Sequence, residues 1–499
     1  MAIWSVYFVE LWKRVENRLR VTWHLGDVHD TELEDIRPQC FDQCFTPMGL
    51  PKTLNEVTDE LEPRPNMKCL RLFISSLTMF FMLFIVVATS LGIIFFRAAM
   101  TTILQLVGTD ERKPDIPIIV SVLSGIVNLF VIVVYDSIYD NLSYILTDVE
   151  MPRTQTEWDK SYILKSFTFD FITNNFVLLY LVVIKGNITG SPGAYRTLFT
   201  LRLENPGPEG NMFHICIMLC VLMLGKNLIR TIKERKALWV KAKVSQKTSK
   251  QWETDYQLSP VPNMFLIRSY IDMITYYGFV AMFAVAFPLA PVIALIINII
   301  HIRFSANGLL VWWRKPLAKR ARGIGTVWID ILHNVSVVAV LTNAIILAFA
   351  SELIPEAVHW YNYDDQFGNM SYTNFTYSAH NTYDTKQNGN STPEKTNIQT
   401  CFFRQFRNEH WGSTPYVFSP EFWQLATVRL LFIVVFVWLA FTVGMDLAVD
   451  TPGLPRALRR QVTRERHLAQ EVVIRPGKYE NLASRLNKKG SYSPDTSSE

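Results

Sequence analysis

The sequence predicts an all-α, polytopic helical membrane protein, and three observations lead there. Eight apolar runs recur near 70–97, 116–138, 163–185, 212–229, 265–287, 289–304, 327–352 and 422–447, most of them long enough to cross about 30 Å of hydrocarbon as a helix. So many runs, in a chain of 499 residues with 49% hydrophobic content, exceed what a soluble core needs. Charge is unevenly placed: nine Lys or Arg fall between Lys226 and Lys250 and six between Arg303 and Arg322, whereas 355–420 holds only Lys386, Lys395, Arg404 and Arg407. The positive-inside rule then puts 226–262, 303–325 and the basic C-terminus in the cytosol and 355–420 outside. N-glycosylation sequons agree with this orientation, since Asn369, Asn374 and Asn390 cluster in that outer segment and Asn187 lies in another segment assigned outside.

Taken in order, residues 1–12 are apolar and aromatic with WKR directly after, the pattern of the cytosolic end of a span. A cleaved signal peptide would carry its charges ahead of the apolar run. Residues 13–68 are polar and read as a cytosolic loop. The block 69–354 carries the successive spans, interrupted by the basic cytosolic loops 226–262 and 303–325. Within it two apolar arms meet at Pro288 and Pro291, so the chain enters the bilayer, turns and leaves on the same side. Residues 355–421 form the glycosylated outer loop, 422–447 the last span, and 448–499 a basic cytosolic tail with a disordered end. A sequon at Asn334 falls inside a span and is expected to stay unmodified. Cys216 and Cys220 lie in an apolar run and read as packing residues.

Ionisable and amide groups inside spans are expensive and mark candidate functional positions. Asn128 in SVLSGIVNLFVIVVYD and the group Asp170, Thr173, Asn174 and Asn175 in FTFDFITNNF stand out. Such residues either line a hydrophilic pathway or hydrogen-bond between helices.

The 252–325 block (WETDYQLSP, FPLAPVIALIINIIHIRF, WWRKPLAKRARGIG), the segment YFVELWKR and the tail motif PRALRRQVTRERHLAQE resemble the anoctamin family of ion channels and lipid scramblases, and the likeness covers almost the whole chain. It implies an anoctamin-like bundle holding helices two (a stub) to ten of ten, in an N-terminally truncated chain. It also implies a homodimer touching through the last span, each subunit with its own polar groove. The expected activity is phospholipid scrambling or ion conduction at the plasma membrane; the alternative is a non-transporting member that regulates or tethers partners, other anoctamins included. Asn128 matches an Asn of the family's pore helix. Asp170 stands where anion-selective members carry a lysine, so the resemblance implies a pathway leaning towards cations. Gly225, in LGKNLIR, matches a hinge glycine.

The family's calcium site is expected to be degenerate here. Its positions fall on Thr231 and Arg235, on Ser269 and Asp272, and on His301 and Ser305, which leaves Asp272 as the residual carboxylate where calcium wants six to eight oxygens. A one-residue shift would bring in Glu234 for Arg235, and Arg235 paired with Asp272 would mimic the occupied site. The resemblance also implies a second acidic group, bringing Glu10 together with Asp446 and Asp450 at the cytosolic ends of helices two and ten. His24, His29, Cys40 and Cys44 have roughly zinc-like spacing. No P-loop, nucleophile elbow or zinc-hydrolase motif is present, so no enzyme is expected. The partners expected are membrane phospholipids and inorganic ions; the juxtamembrane basic loops suit anionic lipid and not nucleic acid.

Overall fold

The computed structural model describes residues 1–23, 37, 52–54, 61–63, 65–107, 115–185, 190–191, 194–195, 197–198, 201–202, 210–242, 250, 252, 256, 258–262, 264–316, 324–363, 371–381, 400–408, 416–450 and 455–474. The helices are α1 (Ala2–Thr22), α2 (Pro65–Val107), α3 (Ile116–Glu150), α4 (Gln155–Val183), α5 (Gly210–Ala242), α6 (Phe265–Phe283), α7 (Ala290–Asn307), α8 (Thr326–Ile345), α9 (Leu353–Tyr363), α10 (Tyr372–Thr376), α11 (Pro420–Asp450) and α12 (Arg456–Ile474). Helices α7 and α8 each end in a π-helical turn, Gly308–Trp312 and Ile346–Ala350. Among the described residues seven helices are long and apolar enough to cross a membrane. They correspond to the apolar runs at 70–97, 116–138, 163–185, 212–229, 289–304, 327–352 and 422–447. The run at 265–287 becomes α6, whose first half carries Arg268 and Asp272.

Several helices overrun their apolar stretches. Helix α1 continues to Thr22 and α3 to Glu150, because helical backbone remains self-satisfied as it passes into the polar layer, where charged side chains reach water. The end of α3 is set locally: Met151 adopts φ 51° and Pro152 follows, a left-handed cap with a residue that cannot continue the helix. Helix α4 then starts with a capping arrangement, in which the Thr154 side chain accepts from the Glu157 N–H at 3.2 Å and Glu157 accepts from the Arg153 N–H. The same corner is locked by Trp158 Nε1, which donates to Asp148 at 2.7 Å, and by the buried pair Lys165–Glu150 at 2.7 Å.

The main core lies between α4, α5, α6, α7 and α8. Val177, Leu178 and Leu181 meet Ile215, Met218, Leu219 and Leu222, and Phe279 and Phe283 close the layer. Small residues, Ala290 and Ala294 on α7 and Ala339 on α8, let backbones approach there. The α6–α7 hairpin turns at Phe283–Ala290, as the two prolines predict. Its outer ends also meet, because the Arg314 N–H donates to the Ser259 carbonyl at 2.9 Å beside a parallel bridge between Ser259 and Trp313. Both arms therefore begin and end at one level.

Among the described residues four two-stranded antiparallel pairs sit in the connections: β1 (Lys52–Leu54) with β2 (Leu61–Pro63), β3 (Gly190–Ser191) with β4 (Ala194–Tyr195), β5 (Thr197–Leu198) with β6 (Leu201–Arg202), and β7 (Tyr377–Asn381) with β8 (Thr400–Arg404). The segment 355–421, expected as an outer loop, thus holds regular structure. Helices α9 and α10 and the β7–β8 hairpin fold over the top of α11, around Ile354, Val358, Phe375 and Leu425. The tail likewise holds the helix α12; residues 475–499 are outside those described.

Candidate functional site

Inside the apolar bundle the helices bring charged side chains together. Helix α5 supplies two cations one turn apart, Lys226 and Arg230. The Lys226 ammonium lies 3.0 Å from Asp170 on α4 and 3.8 Å from Asp136 on α3, and it donates to Asn174 Oδ1 at 3.1 Å. Thr275 on α6 donates to the second Asp170 oxygen at 2.6 Å. The Arg230 guanidinium pairs with Asp272 on α6 at 2.7 Å and also contacts the His301 ring nitrogen on α7. Arg268 on α6 pairs with Asp140 on α3. Five helices, α3 to α7, are therefore tied through one network of alternating charge. Removing two ions from water costs several kcal/mol each, and alternation of this kind recovers that cost.

Of the residues singled out in the sequence, Asp170, Asn174 and Asp272 fall in this network. Thr173 and Asn175 do not: their side chains are buried and donate back to the carbonyls of Phe169 and Phe171 in their own helix, at 2.7 and 2.8 Å. Asn128 is also buried, and its amide nitrogen has no partner among the described residues. Gly225 lies where α5 crosses α3. A Cβ there would come within 2.2 Å of Leu129 Cδ2, so this position requires glycine for close approach, and α5 runs through it as one unbroken helix.

Two expectations need correction. Asp170 does not present a free negative charge, because Lys226 neutralises it; the sign reversal inferred at that position is cancelled by the neighbouring helix. Asp272 pairs with Arg230, five residues before Arg235. Helical geometry explains this, since Arg230 follows Lys226 by four residues and shares its inward face, while the side chains of Glu234 and Arg235 lie outside those described. Lys226 itself was counted in a cytosolic basic loop. Its place at the end of the apolar stretch MLCVLMLGK, level with Asp136 at the end of VIVVYD, was the available signal of an intramembrane pair.

Calcium does not fit the residues that occupy the expected positions. Thr231, Ser269, Ser305 and His301 are neutral donors, and the one carboxylate, Asp272, is held by a guanidinium. A dication placed there would face Arg230 and, nearby, Lys226. Among the described residues no group of three or more His, Cys, Asp or Glu is arranged to hold a metal. Glu10 pairs with Lys13 at 2.7 Å, Asp446 is exposed, and the side chain of Asp450 is outside those described. His24, His29, Cys40 and Cys44 are outside them too, as are Asn187, Asn369 and Asn390. Asn374 is exposed on α10, while Thr376 of the same sequon is buried and donates to the Tyr372 carbonyl. Cys216 and Cys220 pack against the main core.

The family model described as "Anoctamin: Calcium-activated chloride channel" matches residues 1–465. Among similar proteins, Anoctamin-4 of Homo sapiens is 32% identical over 518 aligned residues, covering 98% of this chain and 53% of that protein. Anoctamin-3 of Mus musculus is 31% identical over 98% of this chain and 50% of its own length, and Anoctamin-7 of Homo sapiens is 33% identical over 95% and 50%. The chain thus spans about half the length of the curated relatives it matches. With the family model matched along nearly the whole chain, on a bundle of apolar helices around a buried polar network, the chain belongs to the anoctamin family.

Proposed function

We propose that the chain is the membrane part of an anoctamin-type transporter of phospholipid or inorganic ions whose calcium control is weakened or lost. The observation that carries this reading is the Arg230–Asp272 pair. A fixed guanidinium neutralises the one carboxylate left at the expected metal positions, so α5 is held against α6 and α7 by a covalently attached cation that cannot dissociate. The polar track of Asp136, Asp170, Asn174 and Thr275 supplies groups that would replace water around a headgroup or an ion. Lys226 offsets one of its two carboxylates, so its net bias is a single negative charge. The exposed apolar side of α11, with Leu430, Leu431, Val434 and Trp438 uncovered, supports assembly as a homodimer through the last span.

A second reading, a non-transporting member, is favoured by how closed the network is. Lys226, Arg230 and Arg268 are each paired with an acid, and Asn174 is fully buried. Purified protein in liposomes, assayed for translocation of fluorescent phospholipid and for ion flux with calcium or a chelator, separates the two. The first reading expects transport that changes less than severalfold with calcium. Steep calcium dependence would refute it, and silence in both assays and both conditions would establish the second.

A further inference from the structure

Helix α12 lies outside the charged network of the bundle, and one of its faces is unusually basic. Of its charged residues five are Arg and two are Glu. Arg459, Arg460, Thr463, Arg464 and His467 recur at intervals of three and four and so share one side of the helix. Arg459, Arg460, Thr463, Arg464 and His467 border an open depression of about 580 Å³. All five are exposed, whereas Leu458 and Val462, on the opposite side, are half-buried. Among the described residues, α12 touches α1.

Its position relative to the bilayer is limited by the chain. The last span ends at Asp450 and α12 begins at Arg456, a connection that reaches roughly 20 Å at most. The first turns of α12 consequently stay within that reach of the end of the last span, and an anionic lipid surface acts on charges within about one Debye length, ~8 Å at physiological salt. Guanidinium groups bind phosphate and carboxylate oxygens in bidentate fashion, which suits several arginines around a shallow depression better than lysines.

We propose that the Arg459, Arg460 and Arg464 face of α12 is a docking surface for anionic phospholipid headgroups of the membrane in which the same chain is embedded. Headgroup phosphates and carboxylates fill the depression, and the helix lies along the bilayer surface instead of projecting from it. This follows from charge complementarity and from the short tether, and it holds whether or not the chain transports anything.

The test is hydrogen exchange of the full chain in nanodiscs of phosphatidylcholine alone and of phosphatidylcholine with a minor fraction of phosphatidylserine. Most of a helix's stability comes from packing of one of its faces, so docking of the exposed face registers as slower exchange across 456–474. Protection is expected to rise in the anionic discs and to fall again in high salt. In the Arg459→Gln/Arg460→Gln/Arg464→Gln variant the rise should vanish, since each arginine near an anionic surface contributes roughly fivefold; glutamine preserves helix propensity, and unchanged exchange in α4 verifies folding. Equal protection in neutral and anionic discs would overturn the proposal, as would a rise that survives in the variant. Protection produced in neutral discs by inorganic phosphate alone would overturn the membrane as its source.

Discussion

Lys226→Met tests whether the buried network stabilises the bundle. The substitution keeps the length of the side chain and removes its charge. In the structure Lys226 and Asp170 have side chains 11% and 12% exposed and lie 3.0 Å apart. At an effective dielectric of about 20 their attraction is about 5 kcal/mol. Most of that is cancelled by the desolvation of both ions, so the measured effect comes mainly from what the substitution leaves behind: Asp170 and Asp136, two carboxylates that shared one ammonium, with no cation between them. Loss of one partner from a buried pair costs about 3–5 kcal/mol, and Lys226→Met should fall in that range. Asp170→Asn removes the counter-charge while keeping an acceptor for Thr275. The double variant should therefore be more stable than the sum of the two single effects predicts, by at least ~2 kcal/mol, because residues in direct contact are not additive. The assay is denaturant-induced unfolding of the solubilised chain, followed by tryptophan fluorescence, across all four members of the cycle. Additive effects, or a single-variant cost below about 1 kcal/mol, would show that the ammonium and the carboxylate do not share a low-dielectric site, and the reasoning would fail.

Three other perturbations follow from particular contacts. Gly225→Ala places a methyl against Leu129 and should cost about 1–3 kcal/mol by overpacking; adding Leu129→Ala should recover part of this in the same unfolding assay, whereas a freely bending glycine would show no such rescue. Tyr372 on the cap over α11 is pushed from 10.0 up to about 12 by burial, with the Glu352 carboxylate that accepts from it adding to the effect. Since the neutral phenol is the form favoured in the folded state, its contribution is intact below pH 10 and is lost as pH rises from 10 through about 12; ultraviolet titration of the chain against Tyr372→Phe should show one late-ionising tyrosine disappear. Asn374→Gln should remove one glycosidase-sensitive mobility step when the chain is made in a secretory pathway, and an unchanged pattern would place the cap on the other side of the membrane or leave the sequon unused.

Much of the architecture was legible without coordinates, because the signals behind it are local. Apolar run length marks a spanning helix wherever it lies, and Pro288 with Pro291 breaks a helix whatever surrounds it. The distribution of Lys and Arg separates the connections for a similar reason. The cap formed by α9, α10 and β7–β8 was not legible: its strands are five residues long and carry Ser, His and Asn, so their pairing, Tyr377 with Arg404 through Asn381 with Thr400, depends on a partner 19 or more residues away. Helix α12 lay in a segment read only as a basic tail, because charge dominated its composition while its period of three and four went unused.

The sequence by itself determined the class of molecule and the order of its apolar helices, since these depend on residue type and spacing alone, and its resemblance to a family supplied the expected metal positions, at which carboxylates are scarce. Only the tertiary structure decided which charges neutralise one another. Lys226 reads as a cytosolic positive charge and Asp170 as a free negative one until α5 is laid against α4; then each cancels the other, and Arg230 takes Asp272. Coulomb energy depends on separation within a dry interior, and separation between helices is not written in either helix.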